Sequence, residues 1–161
     1  IVRPHPQSFV SESELIKELT DMYPESDRLE WNRDNDNFEV LKTADILISD
    51  FSGVIFDFSL VYDKPVIYAD TEFDSSPYDA WWMEKPYWTF TALPRIGQKL
   101  TSDNLPRLKE MIDECRENPQ YAQGRSEVRA ETWEYQGEGT KRAVDYLLDK
   151  YRELTAPKEE K

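Results

Sequence analysis

The sequence predicts an α/β fold, a parallel β-sheet with helices on both faces. Two apolar runs carry that prediction, Ala44-Asp45-Ile46-Leu47-Ile48-Ser49 and Lys64-Pro65-Val66-Ile67-Tyr68-Ala69. Neither alternates as a strand with one wet face would. Apolar runs without alternation belong to strands covered on both faces, the pattern of a parallel sheet packed between helices. The third observation is the stretch between them, Gly53 to Tyr62, which reads as a helix apolar nearly all round. Strand, helix and strand within about 25 residues make a βαβ unit with a short crossover.

The remaining elements follow in chain order. Ile1-Val2-Arg3 reads as the end of a strand, stopped by Pro4 and Pro6. Ser11 to Tyr23 reads as a helix, with Leu15, Ile16, Leu19, Met22 and Tyr23 on one face. Ser11 and Glu14 have the spacing of a capping box, and Pro24 ends the helix. Arg28 to Trp31 is a candidate short strand, Asn32 to Asn37 a polar turn cluster, and Phe38 to Thr43 a short helix. Thr71 to Lys99 holds Phe73, Tyr78, Trp81, Trp82, Tyr87, Trp88 and Phe90 among three prolines, and reads as a long ordered loop. Loops of that length inside a compact domain are uncommon and often functional. Asp103 to Glu117 carries Leu105, Leu108, Ile112 and Cys115 at helical spacing. Thr140 to Leu154 does the same with Ala143, Val144, Leu147, Leu148 and Tyr151.

At 161 residues the chain is long enough for one domain with a proper core. Residues 1–155 are expected to form it, with 156–161 a frayed, charged tail. Ile1-Val2 at the start of the sequence reads as a strand in progress, so the chain is expected to be part of a longer protein. It has no apolar run long enough for a transmembrane helix or a signal peptide. A formal charge of −13 repels nucleic-acid phosphates and argues against DNA or RNA as partner. It also argues against this portion touching an anionic membrane. Cys115 is the single cysteine, which excludes an internal disulfide and reads as a buried filler in a reducing compartment. One histidine and one cysteine make a zinc site a poor fit, and neither a metal nor a cofactor is expected.

The segment Ile48-Ser49-Asp50-Phe51-Ser52-Gly53 joins strand to helix. Ligands of open α/β sheets sit beyond the carboxyl ends of the strands. Unpaired N–H groups at a helix N-terminus, together with the helix dipole, favour an anion there. Ser52 adds a hydroxyl, and Gly53 allows close approach to the backbone. The segment is either a phosphate cradle or an ordinary N-cap made by Asp50 or Ser52. Asp57 stands between Phe56 and Phe58 in an otherwise apolar helix. A carboxylate buried there needs a partner. That partner is the preceding loop, a base, or a structural contact such as Lys64. His5, the one histidine, is held between two prolines. It is either a phosphate donor or acid/base group, or a solvent-exposed turn residue. Arg3 has the fork geometry for a phosphate. Gly137 to Arg142 is a weaker second anion candidate, which a turn leading into a helix explains as well. The aromatic cluster of 71–99 either stacks a base, lines an acceptor groove, or belongs to core or interface.

Taken in order, Arg3-Pro4-His5-Pro6, then Ala44 through Phe58, then Lys64-Pro65-Val66-Ile67 resemble the CDP-glycerol:poly(glycerophosphate) glycerophosphotransferase family, enzymes of teichoic-acid type polymer synthesis. The resemblance covers roughly Ile1 to Asp70, with a looser fit in the helical C-terminal part. It implies a GT-B architecture, two Rossmann-like domains across a cleft, with this chain as part of the C-terminal nucleotide-binding domain. By the same resemblance the donor is CDP-glycerol and the leaving group CMP. The polymer or lipid-linked acceptor would be met through an N-terminal domain outside this chain. His5 would be the motif histidine near the donor pyrophosphate. Ser52 and its helix start would hold the phosphates, with Arg3, Gly53, Asp50 and Asp57 shaping the site. A cytoplasmic location, peripheral at the inner face of the bacterial cell membrane, is implied for the whole protein. Two departures leave the donor open. The family's second motif serine is Gly53 here, and Tyr78 to Leu93 lacks the usual Arg-Gly-x-Tyr sequence after the sheet strand. A GT-B glycosyltransferase using an NDP-sugar, or a non-catalytic Rossmann-like interaction module, would share the same architecture.

Overall fold

The computed structural model describes residues 1–34, 36–50, 52–69, 82–83 and 86–156. The chain divides into two compact units, Ile1–Ala44 and Asp45–Lys161. Each is described by itself.

The first unit contains helices α1 (Ser8–Ser11), α2 (Ser13–Met22) and α3 (Phe38–Thr43). The expected single helix from Ser11 is broken at Glu12, whose φ of −127° leaves the helical region. The capping box therefore does not form. Ser11 closes the preceding short turn instead, donating its hydroxyl to the Gln7 carbonyl. Of the five residues expected on the buried face, Ile16 is buried, while Leu15, Met22 and Tyr23 are exposed. The two expected strands reduce to one parallel bridge between Val2 and Trp31. It is made by Val2 N–H to the Glu30 carbonyl at 2.7 Å and Asn32 N–H to the Val2 carbonyl at 2.9 Å. Trp31 is buried beside this bridge, its indole N–H donating to the Tyr23 carbonyl at 2.7 Å.

The second unit is the sheet and its helices. Strands β1 (Leu47–Ser49), β2 (Val66–Ala69) and β3 (Gly97–Leu100) are parallel, in the spatial order β1-β2-β3. Leu47 pairs with Val66, and Val66 in turn with Gly97. The strand order does not reverse among the described residues, so the unit is a small mixed α/β sheet winding in one direction. In β2, Val66, Ile67 and Tyr68 are all buried. Successive side chains point to opposite faces, so both faces of this central strand are covered, as the apolar run predicted. Ile67 packs on Met111 and Cys115 of helix α6 (Leu108–Glu117). The edge strand β1 departs from the prediction: Ile48 is 43% exposed. An edge strand has a neighbour on one side only, and the apolar composition alone did not reveal that.

The crossover helix between β1 and β2 begins as α4 (Val54–Phe56) and widens into a π-helical turn over Asp57–Val61. Ile55, Phe58, Ser59 and Leu60 are buried along it. Asp57 is exposed, which corrects the expectation of a buried carboxylate and removes the need for a charge partner. The interior is filled by its neighbours on either side, and Asp57 takes the outward position.

Of the loop expected over 71–99, residues 71–81, 84 and 85 lie outside the described residues. Its C-terminal third is regular: helix α5 (Trp88–Ile96) runs directly into β3. Pro94 falls in the last turn of α5, where it removes one backbone bond while Ala92, Leu93 and Ile96 remain buried. The helix expected over Asp103–Glu117 is a 3-10 turn, Leu105–Arg107, followed by α6. Helix α7 (Pro119–Thr132) was not foreseen. Its start carries a plain signal, Asn118 then Pro119. The Asn118 side chain accepts from Gln120 N–H at 3.0 Å, and proline suits the first helical position. Helix α8 (Gly139–Thr155) forms as predicted, and its apolar stripe is exposed. Beyond Ala156 the expected tail lies outside the described residues.

Candidate functional site

In the first unit, Arg3 does not extend a free fork. Its guanidinium donates to Asn32 Oδ1 at 2.5 Å and to the Asp34 carbonyl. It ties the proline turn to the segment after Trp31, so it is first a scaffold for His5. The His5 imidazole is exposed, and its Nδ1 accepts the Gln7 N–H at 3.1 Å. An accepting Nδ1 places the neutral ring's proton on Nε2. The His5 carbonyl also accepts Ser8 N–H at 2.9 Å, which closes the turn. The ring is thus oriented by the backbone, with Nε2 available to a ligand.

In the second unit, Asp50, Ser52 and Gly53 follow the carboxyl end of β1. Asp50 Oδ1 accepts the Ser52 N–H at 2.7 Å, an Asx turn that sets the path into α4. The N-cap position is Gly53 and neither Asp50 nor Ser52 caps the helix with its side chain; Asp50 instead closes the turn before it and occupies one N–H of the proposed cradle. The Ser52 and Gly53 carbonyls accept Ile55 N–H and Phe56 N–H, each at 3.0 Å. Among the described residues, the N–H groups of Gly53 and Val54 have no acceptor. Gly53 has ordinary helical dihedrals, φ −55° and ψ −24°. A Cβ built on it meets nothing within 4 Å. Glycine is thus not demanded by the backbone here. What it supplies is open space over two N–H groups and the exposed Ser52.

Phe56 and Asp57 lie three and four residues beyond Gly53, on the same helical face. Phe56 contacts Trp88 at the start of α5, with ring centroids 5.1 Å apart and planes tilted by 34°. Trp88 opens α5, whose other end leads into β3. Arg95, at the far end of α5, donates to both Glu131 oxygens at 2.8 and 2.9 Å and to Glu127 at 3.1 Å. Hydrogen bonding from Arg95 holds Glu131 below the usual carboxylate range, with a smaller contribution from the Trp88 side chain. Glu127 is lowered chiefly by Gln123, then by Arg95.

Helix α7 also grips the end of the crossover helix. Arg125 Nε donates to Asp63 at 2.9 Å, and Arg129 Nη2 lies 3.4 Å from the same carboxylate. Arg129 Nε donates to the Leu60 carbonyl at 2.7 Å. Asp63 is held at φ 55°, a left-handed conformation rare outside glycine. Sequence reasoning missed Asp63, Arg125 and Arg129. The i, i+4 spacing of the two arginines was the available signal, visible only once α7 is recognised. No group of three or more metal-ligating side chains occurs among the described residues. None of their helices is long and apolar enough to cross a membrane.

The fold and strand-end turn define a parallel α/β module with a polar turn at the carboxyl end of β1. The chain belongs to the CDP-glycerol:poly(glycerophosphate) glycerophosphotransferase family, whose model matches residues 1–148. That match extends well beyond the motifs that end near Asp70, through β3, α6 and α7. Comparison with curated proteins finds no match, and comparison with solved structures finds none either.

Proposed function

We propose that this chain is the donor-binding part of a glycerophosphotransferase that moves glycerol phosphate from CDP-glycerol to a polymer or lipid-linked acceptor. The observation that carries the reading is the family match over 1–148. The open Ser52-Gly53-Val54 turn at the strand end supports it. In the reaction an acceptor hydroxyl oxygen attacks the donor's β-phosphorus. The new O–P bond forms as the bond to the bridging pyrophosphate oxygen breaks, and CMP leaves with that oxygen and its electron pair. The acceptor proton passes to a base. Negative charge grows on the departing phosphate, and fixed N–H and hydroxyl donors stabilise it. The Gly53 and Val54 N–H groups and the Ser52 hydroxyl are the donors assigned to that task. His5, the motif histidine, supplies an imidazole whose Nε2 donates to phosphate or exchanges a proton.

The test is titration of CMP and CDP-glycerol into the protein, into Ser52→Ala and into His5→Ala, with turnover measured on the full polypeptide. Loss of one phosphate donor is expected to lower turnover about 100-fold or more. Both variants binding and turning over like the parent would end the proposal. Preferential stabilisation by uridine nucleotides would move the donor to an NDP-sugar.

A further inference from the structure

We propose that Asn32 is a positioning residue for His5: its buried amide locks the two residues ahead of the proline turn and so sets the direction and tautomer of the imidazole. The inference rests on the reading of His5 as the histidine that serves the donor phosphate, and adds to it the group that holds that ring in place.

Three features of the first unit point to it. The first is a buried polar side chain with a use for every polar atom. Asn32 is 8% exposed. Its Oδ1 accepts from Arg3 Nη1 at 2.5 Å and from the Asp34 N–H at 3.3 Å. Its Nδ2 donates to Glu30 Oε1 at 3.0 Å and to Asp34 Oδ2 at 3.4 Å. The oxygen faces donors and the nitrogen faces carboxylates, so the amide can point only one way, and its acceptor and donor positions are all filled. The second feature is what the residue holds. The Asn32 N–H donates to the Val2 carbonyl at 2.9 Å while the side chain takes Arg3. Two consecutive residues are thus tied to one, and the Val2 N–H is tied to the Glu30 carbonyl beside it at 2.7 Å. The third is the short route from there to the ring. Pro4 follows Arg3 and Pro6 follows His5, and each proline fixes its own φ and restricts the residue before it. With Val2 and Arg3 anchored, the chain has little freedom left before Gln7, whose N–H meets His5 Nδ1 at 3.1 Å. That bond keeps the neutral ring's proton on Nε2, the nitrogen assigned to the phosphate. Asn32 therefore acts on the ring through Arg3 and the turn.

The experiment is ring-nitrogen NMR of His5, the chain's one histidine, in the parent, Asn32→Ala, Asn32→Asp and Arg3→Lys, with thermal melts of each and turnover of CDP-glycerol on the full polypeptide. The neutral ring of the parent is expected to show a bare Nδ1 and a protonated Nε2. Asn32→Ala and Arg3→Lys are expected to give the averaged signals of a ring exchanging between tautomers, since a lysine has no fork to reach Asn32 and Asp34 together. Asn32→Asp keeps an acceptor for Arg3 and is expected to keep the parent's ring signals, while melting lower because it sets a carboxylate against Glu30 and Asp34. Turnover of Asn32→Ala is expected to fall about tenfold or more, the scale of a misplaced acid or base. In a His5→Ala background the same substitution is expected to cost less than about twofold, because the ring it positions is gone. Parent-like ring signals in both Asn32→Ala and Arg3→Lys would overturn the proposal. An equal loss of turnover with and without His5 would do the same, since it marks a general structural role. His5→Ala turning over like the parent would end the phosphate reading, with the ring signals still deciding whether Asn32 positions His5. If Asn32→Ala fails to fold, the ring signals of Arg3→Lys against those of Asn32→Asp decide.

Discussion

Replacing Gly124 by alanine should force α5 away from α7. A Cβ on Gly124 would lie 1.8 Å from the Arg95 carbonyl oxygen, 2.7 Å from its carbon and 3.3 Å from the Arg95 Cβ. A carbon and a carbonyl oxygen come no closer than roughly 3.3 Å, so the two backbones must separate by roughly 1.5 Å. The obstacle is main chain in two helices, so no side-chain rotation relieves it. Overpacking of this kind costs about 1–3 kcal/mol, occasionally more. Alanine returns about 1 kcal/mol through its better helix propensity. With main chain as the obstacle the cost lies at the upper end of that range, so the net expectation is a loss of about 2 kcal/mol, which for a chain of this size lowers Tm by about 4–8 °C. Urea unfolding followed by circular dichroism measures it, with Gly139→Ala as the control. Gly139 starts α8 with nothing within 4 Å of its Cβ position, so alanine there should be neutral or stabilising. If Gly124→Ala unfolds at the parent's midpoint or above it, the close approach of α5 and α7 is wrong. The Arg95 bridge to Glu127 and Glu131 would then need another explanation.

Gly53→Ser, which restores the family's motif serine, should change stability by no more than about 0.5 kcal/mol, since the dihedrals are helical and the space is open; thermal melts check it. Asp63→Ala leaves Arg125, 7% exposed, without its carboxylate and should cost about 1–3 kcal/mol, whereas Asp63→Gly should lose less because it relaxes the φ of 55°. Chemical unfolding of the two variants side by side decides that order. Burial pushes the Cys115 thiol up to about 11. The folded state holds that proton more tightly than the unfolded chain, whose thiol titrates near ~8.5. The thiol's contribution to stability is therefore intact below pH ~8.5 and is lost as pH rises toward 11, beyond which it is flat. Cys115→Ser should remove this slope between pH 8.5 and 11 from the unfolding free energy. A slope that survives the substitution would assign it to other groups.

Much of the second unit was legible because its strongest elements are local. The apolar run at Lys64–Ala69 becomes the central strand, and α8 falls within a residue of the predicted helix. The family resemblance was legible for a similar reason, since its motifs are short contiguous strings at the strand ends. What escaped has no strong local signature. The strand β3, Gly-Gln-Lys-Leu, carries no β-branched residue and is a strand through its pairing with β2. Gly97 is required there because a Cβ would stand 2.1 Å from the Val66 carbonyl oxygen, a contact between residues distant in sequence. Asp57 was misjudged in the same way: apolar neighbours suggested burial, but burial depends on which side of the helix meets the sheet.

By itself, the sequence determined the parallel α/β class, the central strand, the helix start at Ser52-Gly53 and the family, all encoded in contiguous runs and short motifs. Only the tertiary structure decided that Asp57 faces outward, that Trp88 is held against Phe56, and that two arginines of α7 close on Asp63. Those arrangements join residues between about 30 and 66 positions apart, and no local propensity specifies such a pairing before the chain has collapsed around it.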